Sequence, residues 1–125
     1  MKAHSAVVVS LHSPREKIWG LLLSIHTSGV TLKGIDLNSF EDWSCEVARG
    51  EATMGLSTMF FPMHRVERIH LDETVGGIQS LADIFASRVR QDLWSYLGVP
   101  PPSALEVSGD PTSQQRWRAL EENEK

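Results

Sequence analysis

The sequence predicts a mainly β protein of the α+β class, in which five short strands and an inserted short helix precede one long amphipathic helix. Three observations support this prediction. Apolar and polar residues alternate over much of the first 36 positions, two short apolar runs lie between positions 56 and 71, and apolar residues follow a spacing of three and four from 77 to 97. A chain of 125 residues, 41% of them hydrophobic, is expected to form one domain.

Three strands are predicted in the N-terminal part of the chain. In residues 6–11, Val7, Val9 and Leu11 alternate with Val8 and Ser10, which is the two-residue period of a strand with one buried face. Residues 18–26 are apolar on nearly both faces, as expected where a barrel interior covers one face and a helix or a second subunit covers the other. The turn at 27–29 leads into residues 30–36, whose apolar parity changes at Gly34 and predicts a β-bulge there.

A short helix is predicted over residues 39–49. Asn38 or Ser39 can cap its first turn, two acidic residues follow, and Gly50 ends it. The side of this helix that faces the core is predicted to consist of Phe40, Trp43, Val47 and Ala48.

The remaining predicted elements of the domain are two strands and a long helix. The strands occupy 56–61 and 66–71 and are joined by the tight segment Pro62-Met63-His64-Arg65. The apolar spacing predicts a single helix over 77–97, which a glycine and a proline end. Residues 1–98 are therefore predicted to form a small β-barrel plus helix domain.

Residues 99–125 are predicted to form a flexible, Pro-rich acidic tail. An Asp-Pro pair can start a short helix at 111–122, on which Trp117 and Leu120 lie one turn apart. Two interpretations of this segment stay open. It is either an unstructured tail with a single chance tryptophan, or an anchor that docks into a groove of another protein.

Two stretches of the chain resemble the two signatures of the Sm and Sm-like protein family. The first is Val7-Val8-Val9-Ser10-Leu11, then a polar turn, Trp19-Gly20-Leu21-Leu22-Leu23-Ser24-Ile25, and Val30-Thr31-Leu32-Lys33, with a glycine in the second strand that permits sharp curvature. The second is Met59-Phe60-Phe61-Pro62-Met63-His64-Arg65-Val66-Glu67-Arg68-Ile69, and His64 falls where the bacterial Hfq-type branch has a histidine. The resemblance covers residues 6–37 and 57–71 and implies a five-stranded, strongly bent Sm-like barrel.

The chain also departs from the pattern of this family. The aspartate and asparagine with which the family reads RNA would fall near His26 and Gly29, its Arg-Gly pair would fall near Pro62 and Met63, and neither pair is present. The helix at 39–49 stands where Sm proteins carry a loop, and the long helix follows the barrel instead of preceding it. The resemblance therefore implies a fold more than an activity, and other SH3-like barrels have the same alternation of strands.

The charge and cysteine content set the expected environment of the protein. Twelve Lys and Arg residues against 16 Asp and Glu residues give a formal charge of −4, which removes the sequence-wide attraction that phosphate backbones or anionic membranes usually require. The single cysteine, Cys45, can form neither an internal disulfide nor a cysteine-rich zinc site, and the start Met-Lys-Ala-His lacks the apolar core of a secretory signal. We therefore expect a cytoplasmic protein with no membrane partner.

The sequence contains no recognisable catalytic or metal-binding motif. Its five histidines lack the spacing of metal ligands, so neither a metal nor a cofactor is predicted. An enzyme that places His64 or Cys45 in a cleft is a third, less supported hypothesis.

Two functions are favoured over an enzyme. The first is a non-enzymatic binding or scaffolding module that self-associates, because the second strand is apolar on both faces. In this interpretation Trp94, which lies off the apolar stripe of the long helix, joins Trp117 and Leu120 as a candidate partner contact. The alternative is an Sm-like RNA-binding ring whose candidate contacts to phosphate or base are Lys33, His64, Arg65 and Arg68.

Overall fold

The computed structural model describes residues 1–102. Its strands are β1 (Ala6–Leu11), β2 (Glu16–His26), β3 (Gly29–Asp36), β4 (Ser57–Pro62) and β5 (Val66–Leu71). Its helices are α1 (Phe40–Ala48), α2 (Leu81–Val89) and α3 (Leu93–Leu97), and two 3-10 turns lie at Leu37–Ser39 and Met63–Arg65. The predicted α+β class and the five strands are confirmed.

All five strands belong to one antiparallel sheet, in the order β4-β3-β2-β1-β5. The first three strands pair with their neighbours in sequence, and β5 returns to the other side of β1, where Leu71 lies opposite Val7 and Ile69 opposite Val9. Within residues 1–102, β4 and β5 therefore each have one strand neighbour and form the two edges of the sheet.

One face of the sheet carries the first core cluster. Val7, Val9 and Leu11 of β1 are fully buried there, as their alternation predicts. They pack against apolar residues of β2 and β3, which are Ile18, Leu22, Val30 and Leu32.

The opposite face carries a second core cluster beneath the helices. Trp19 and Leu21 of β2 are 0% and 1% exposed and pack against side chains of α1 and α2. Trp43 of α1 stacks on Phe85 of α2 with ring centroids 5.0 Å apart. Full burial of a leucine such as Leu21 contributes about 1.5–3 kcal/mol. The second apolar face of β2 is thus covered by helices of the same chain.

Two glycines lie opposite each other where the backbones of β2 and β3 approach closely. Gly20 pairs with Gly34, and a Cβ atom added to Gly20 would collide with the backbone of β3. The predicted bulge at Gly34 is wrong, because this residue stays in register and the register shifts instead between Leu22 and Ser24. The extra residue in β2 lets Leu22 and Ile25 reach the same core cluster.

The first helix, α1, lies within one residue of the predicted range at each end. Phe40 and Trp43 are buried and Val47 is half-buried, as predicted. Ala48 is exposed, contrary to the prediction, because the helix ends at this residue and Ser44 is buried instead.

The single long helix predicted over 77–97 is wrong. Residues 75 and 78 form a β-bridge, and α2 begins only after Ser80, whose hydroxyl accepts a hydrogen bond from the Asp83 N–H. Arg90 adopts a left-handed conformation with φ 63° that ends α2, and Asp92 then caps the separate helix α3. The two local N-caps and the left-handed residue divide a continuous apolar pattern into two helices, both of which reach the second cluster.

Candidate functional site

An open apolar groove of about 760 Å³ lies between β5, the start of α1 and the loop before α2. We call it the outer groove. Its apolar lining includes Val8, Leu37, Phe40, Leu71, Val75 and Ile78. Three of these side chains are strongly exposed, at 45% for Leu71, 64% for Val75 and 77% for Ile78. A contiguous exposed apolar surface of this kind is typical of an interaction site.

Asp72 positions the wall of the outer groove at the end of β5. Its Oδ2 accepts hydrogen bonds from the indole Nε1 of Trp19 at 3.0 Å and from the Ala82 N–H at 2.8 Å, and its Oδ1 accepts one from the Leu81 N–H at 2.8 Å. This one carboxylate therefore joins a buried tryptophan of β2 to the first turn of α2. It is one of the contacts that hold α2 on the sheet, together with the packing of Phe85 on Trp43.

The loop before α2 is held by a second set of hydrogen bonds. Val75 and Ile78 exchange backbone N–H···O bonds of 3.0 Å, which form a tight hairpin around Gly76 and Gly77. The Thr74 hydroxyl donates to Asp83 at 2.8 Å, so the loop is fastened to α2. The two apolar side chains at the hairpin ends are consequently held out at the mouth of the groove.

Charged side chains surround this apolar surface. Lys17, Glu41, Asp72 and Glu73 all line the outer groove, which gives it three carboxylates and one ammonium group. Arg88 donates to Glu41 at 2.8 Å and to the Ser44 hydroxyl at 2.8 Å. The hydrogen bond with Glu41 raises the pKa of Arg88 further above its ordinary value. The groove therefore combines apolar side chains with a net excess of carboxylates.

Sequence reasoning missed this groove. The helix predicted over 77–97 would contain Ile78, which the structure instead places in the loop before α2. The available signal was the pair Val75 and Ile78 around two glycines, since apolar residues that flank a Gly-Gly turn belong to a loop more readily than to a helix.

Arg65, one of the candidate RNA contacts, is engaged within the chain. Its Nη2 donates to the Pro14 carbonyl at 2.9 Å, its Nε donates to the His12 carbonyl at 3.3 Å, and it forms an ion pair with Glu16 at 3.5 Å. The guanidinium group thus ties the second 3-10 turn to the β1–β2 turn.

The other three candidate RNA contacts lie on different parts of the sheet. Arg68 on β5 pairs with Glu67 at 3.1 Å, and this hydrogen bond lowers the pKa of Glu67. Lys33 lies on β3, on the other side of β1 and β2, and His64 is exposed in the second 3-10 turn. The four candidate contacts thus lie on β3, on the second 3-10 turn and on β5.

The β2–β3 turn contacts the second 3-10 turn. The Met63 N–H donates to the Ser28 carbonyl at 2.9 Å, and Met63 shares a cavity with Ile25, His26 and Thr27. These are the two turns at which the Sm resemblance would place RNA-reading residues, and in this chain they carry mainly apolar and neutral side chains.

Trp94, the candidate partner contact on α3, is half-buried. Its Nε1 donates to the His4 carbonyl at 2.7 Å, and its ring packs against the second core cluster. It therefore fastens α3 to the start of β1. Trp117 and Leu120, together with the predicted short helix at 111–122, lie outside the described residues.

The residues considered for catalysis or metal binding are dispersed. Cys45 is half-buried in α1, and neither it nor His64 lines the outer groove or the cavity beside Met63. Among residues 1–102, no group of three or more His, Cys, Asp or Glu side chains is placed to hold a metal ion.

None of the helices in the described part of the chain has the length and apolar character needed to cross a membrane.

Comparisons with known proteins identified no similar protein. The chain matches no protein-family model, and no curated protein or solved structure is significantly similar to it.

Proposed function

We propose that the protein is a non-enzymatic binding module that self-associates through the edges of its sheet. The observation that carries this proposal is the state of the two edge strands, since β4 and β5 each pair on one side only within the described part of the chain. An unpaired strand edge is a template for pairing with another chain.

Successive residues of a strand direct their backbone N–H and C=O groups to opposite sides, so the bonds to the inner neighbour show which residues of each edge strand can pair with another chain. In β5 the Asp72 N–H bonds to Ala6 of β1, so the backbone groups of Leu71 and Ile69 point away from β1. Just after β4, the Met63 N–H donates to the Ser28 carbonyl in the β2–β3 turn. Because the bonding direction alternates along a strand, the backbone groups of Phe60 and Thr58 point away from β3. Each edge thus offers two residues with donors and acceptors for a neighbouring strand.

The composition of β4 supports the same proposal. Its sequence Ser-Thr-Met-Phe-Phe-Pro contains no charged residue, whereas edge strands that avoid association usually carry lysine or another charge. Phe60 is 55% exposed on this edge, and Leu71 is 45% exposed on the other. Association of β4 with β5 of a second copy would pair the backbone groups and bring these two strands into contact.

The second apolar face of β2 does not require a second subunit. The double apolar character of β2 suggested a second subunit, but the helices of the same chain cover its second face. The proposal now depends on the sheet edges.

Light scattering of the purified chain across a range of concentrations tests the proposal. We expect a mass that is a multiple of 13.9 kDa. Phe60→Lys places a charge on the β4 edge and should lower that mass, whereas Met54→Lys, on an exposed loop residue outside the sheet, should leave it unchanged. A strict monomer at all concentrations would exclude edge association.

We also propose that the sheet curls into a small Sm-like or SH3-like barrel. A flat sheet would place its edge strands about 19 Å apart, as four spacings of about 4.8 Å. The three residues Met63–Arg65 join β4 to β5, and four Cα steps from Pro62 to Val66 reach at most about 14 Å. The short connection therefore favours a sheet that bends until its edges approach, and the paired Gly20 and Gly34 support the bend.

A second candidate function is an Sm-like RNA-binding ring. The contact between the β2–β3 turn and the second 3-10 turn supports it, because His26 and His64 lie on these neighbouring turns. Gel-shift titration of mixed short RNAs at low salt tests this candidate, with His64→Ala as the variant expected to weaken binding. No binding at micromolar protein would exclude it.

The single cysteine supports a cytoplasmic setting for either function, since the chain has no second thiol for a disulfide.

A further inference from the structure

We propose that the outer groove is the docking site for a segment of the same chain, Arg116-Trp117-Arg118-Ala119-Leu120. This segment lies outside the described residues. We choose it because of the chemistry of the groove lining. A groove lined by apolar side chains and carboxylates fits a segment in which an indole lies between two arginines and a leucine follows three residues later. The inference does not depend on edge association.

The path of the chain brings the segment within reach of the groove. The Pro100 carbonyl accepts a hydrogen bond from His4 Nδ1 at 2.8 Å, so the chain leaves α3 beside the start of β1. Val8 belongs to the helix-covered face of the sheet and also lines the outer groove, so the segment need not cross to another face.

The distance is short compared with the length of the connection. Ser10 at the far end of the groove is six residues along β1 from His4, or about 20 Å at about 3.3 Å per residue. The 14 residues from 103 to 116 span up to about 46 Å when extended. The segment can therefore reach the groove with slack.

The charges of the two surfaces are complementary. Arg116 and Arg118 flank Trp117, whereas Glu121 and Glu122 follow Leu120, so the cationic part of the segment is the part around Trp117, and it faces a groove lined by three carboxylates and one ammonium group. Glu41 is already paired with Arg88, and Asp72 is occupied by its three donors. Glu73 is exposed at the rim and is the carboxylate that we assign to the incoming arginines.

Tethering makes even weak docking effective. A tether of this length holds its segment at an effective concentration on the order of 1 mM. A groove that binds this segment with a dissociation constant of about 100 μM would then be filled in about nine chains out of ten.

Hydrogen exchange of the Trp117 indole N–H tests the proposal in the full chain. Its NMR signal can be assigned with Trp117→Phe, and we expect exchange at least about tenfold slower than in an Ile78→Asp variant. Ile78 is 77% exposed, so this substitution removes groove surface without opening the core. The buried indoles of Trp19 and Trp43 report whether the variant stays folded, and Met54→Asp is the matched exposed control.

Reversing the charges of Arg118 and Glu73 tests the ion pair assigned to these two residues. Arg118→Glu should speed the exchange of the Trp117 indole, and Glu73→Arg in the same chain should restore its protection. Failure of this restoration contradicts the charge pairing.

Three results overturn the proposal. Exchange of Trp117 that is equal in the parent chain and in Ile78→Asp shows that the groove does not hold the segment. Protection that increases with protein concentration assigns the segment to the groove of a second copy. An unprotected Trp117 in the purified chain leaves the groove to a segment of another protein.

Discussion

Asp72 offers the most direct test of how the helices are held on the sheet. Replacement by alanine removes the acceptor of three hydrogen bonds, from the Trp19 indole and from the N–H groups of Leu81 and Ala82. Trp19 is fully buried, so its indole N–H would be left without this partner inside the protein. The first turn of α2 would lose its carboxylate at the same time.

The expected loss of stability follows from these contacts. A buried donor without a partner costs about 1–3 kcal/mol. Loss of an acceptor at a helix start costs about 1 kcal/mol more. Asp72→Ala should therefore lower the free energy of unfolding by about 2–4 kcal/mol, or the melting temperature by about 10–20 °C at about 5 °C per kcal/mol.

Urea denaturation followed by circular dichroism and tryptophan fluorescence measures this loss. Asp72→Asn keeps one acceptor oxygen and should fall between the parent chain and Asp72→Ala. The control is Glu51→Ala, an exposed carboxylate in a surface ion pair with Arg49, whose removal should change stability by less than about 0.5 kcal/mol. If Asp72→Ala and Glu51→Ala have equal stability, Asp72 does not hold α2 to Trp19 in the way described.

Three further predictions concern other parts of the fold. Gly20→Ala should cost more than about 3 kcal/mol because its Cβ would meet the β3 backbone, whereas Gly55→Ala, with open space around it, should be nearly neutral in the same denaturation assay. The Ser95 hydrogen bonds hold the pKa of Asp92 below its ordinary 3.8, so this carboxylate stabilises the fold at higher pH and its contribution is lost as pH falls through the lowered pKa. Asp92→Asn should lack this part of the acid sensitivity, and parallel urea midpoints of the two proteins from about pH 6 to about pH 2 would contradict the assignment. Arg65→Ala should lower stability by about 1–2 kcal/mol because three contacts are lost, while Arg68→Ala on an exposed ion pair should cost less than about 0.5 kcal/mol. Equal effects of the two arginine variants would show that Arg65 does not fasten the two turns.

The strands of this protein were predictable because their signal is local. The alternation of Val7, Val9 and Leu11 identifies both the strand and its buried face without knowledge of any other segment. The apolar runs around β4 and β5 likewise identified the short strands, and Pro62 identified the end of β4. The helix α1 was predictable for the same reason, since its acidic first turn and its inward residues lie within one short segment.

The C-terminal helices were harder to predict because an apolar spacing is compatible with one helix or two. The division depends on whether Ser80 and Asp92 accept backbone hydrogen bonds and on the left-handed conformation of Arg90. The position of the β-bulge in β2 was also hard to predict. Its location depends on Gly20 and Gly34 facing each other, which is a property of the pairing of two strands.

The candidate site was the least predictable part of the molecule. Asp72 and Glu73 are adjacent in sequence, yet one accepts three hydrogen bonds and the other stands exposed at the groove rim. Arg65 and Arg68 differ in the same way, since only Arg65 reaches the β1–β2 turn. Residue type shows which interactions a side chain can make, and the fold selects its partners.

The sequence by itself determined the five strands, the apolar character of both faces of β2 and the overall acidity of the chain, because composition and alternation are properties of neighbouring residues. Only the tertiary structure decided what covers the second face of β2. Trp43 and Phe85 lie more than 20 residues along the chain from Trp19 and bury it between the sheet and the helices. Burial is a contact between distant parts of the chain, so a pattern can show that an apolar face needs cover but cannot show which segment supplies it.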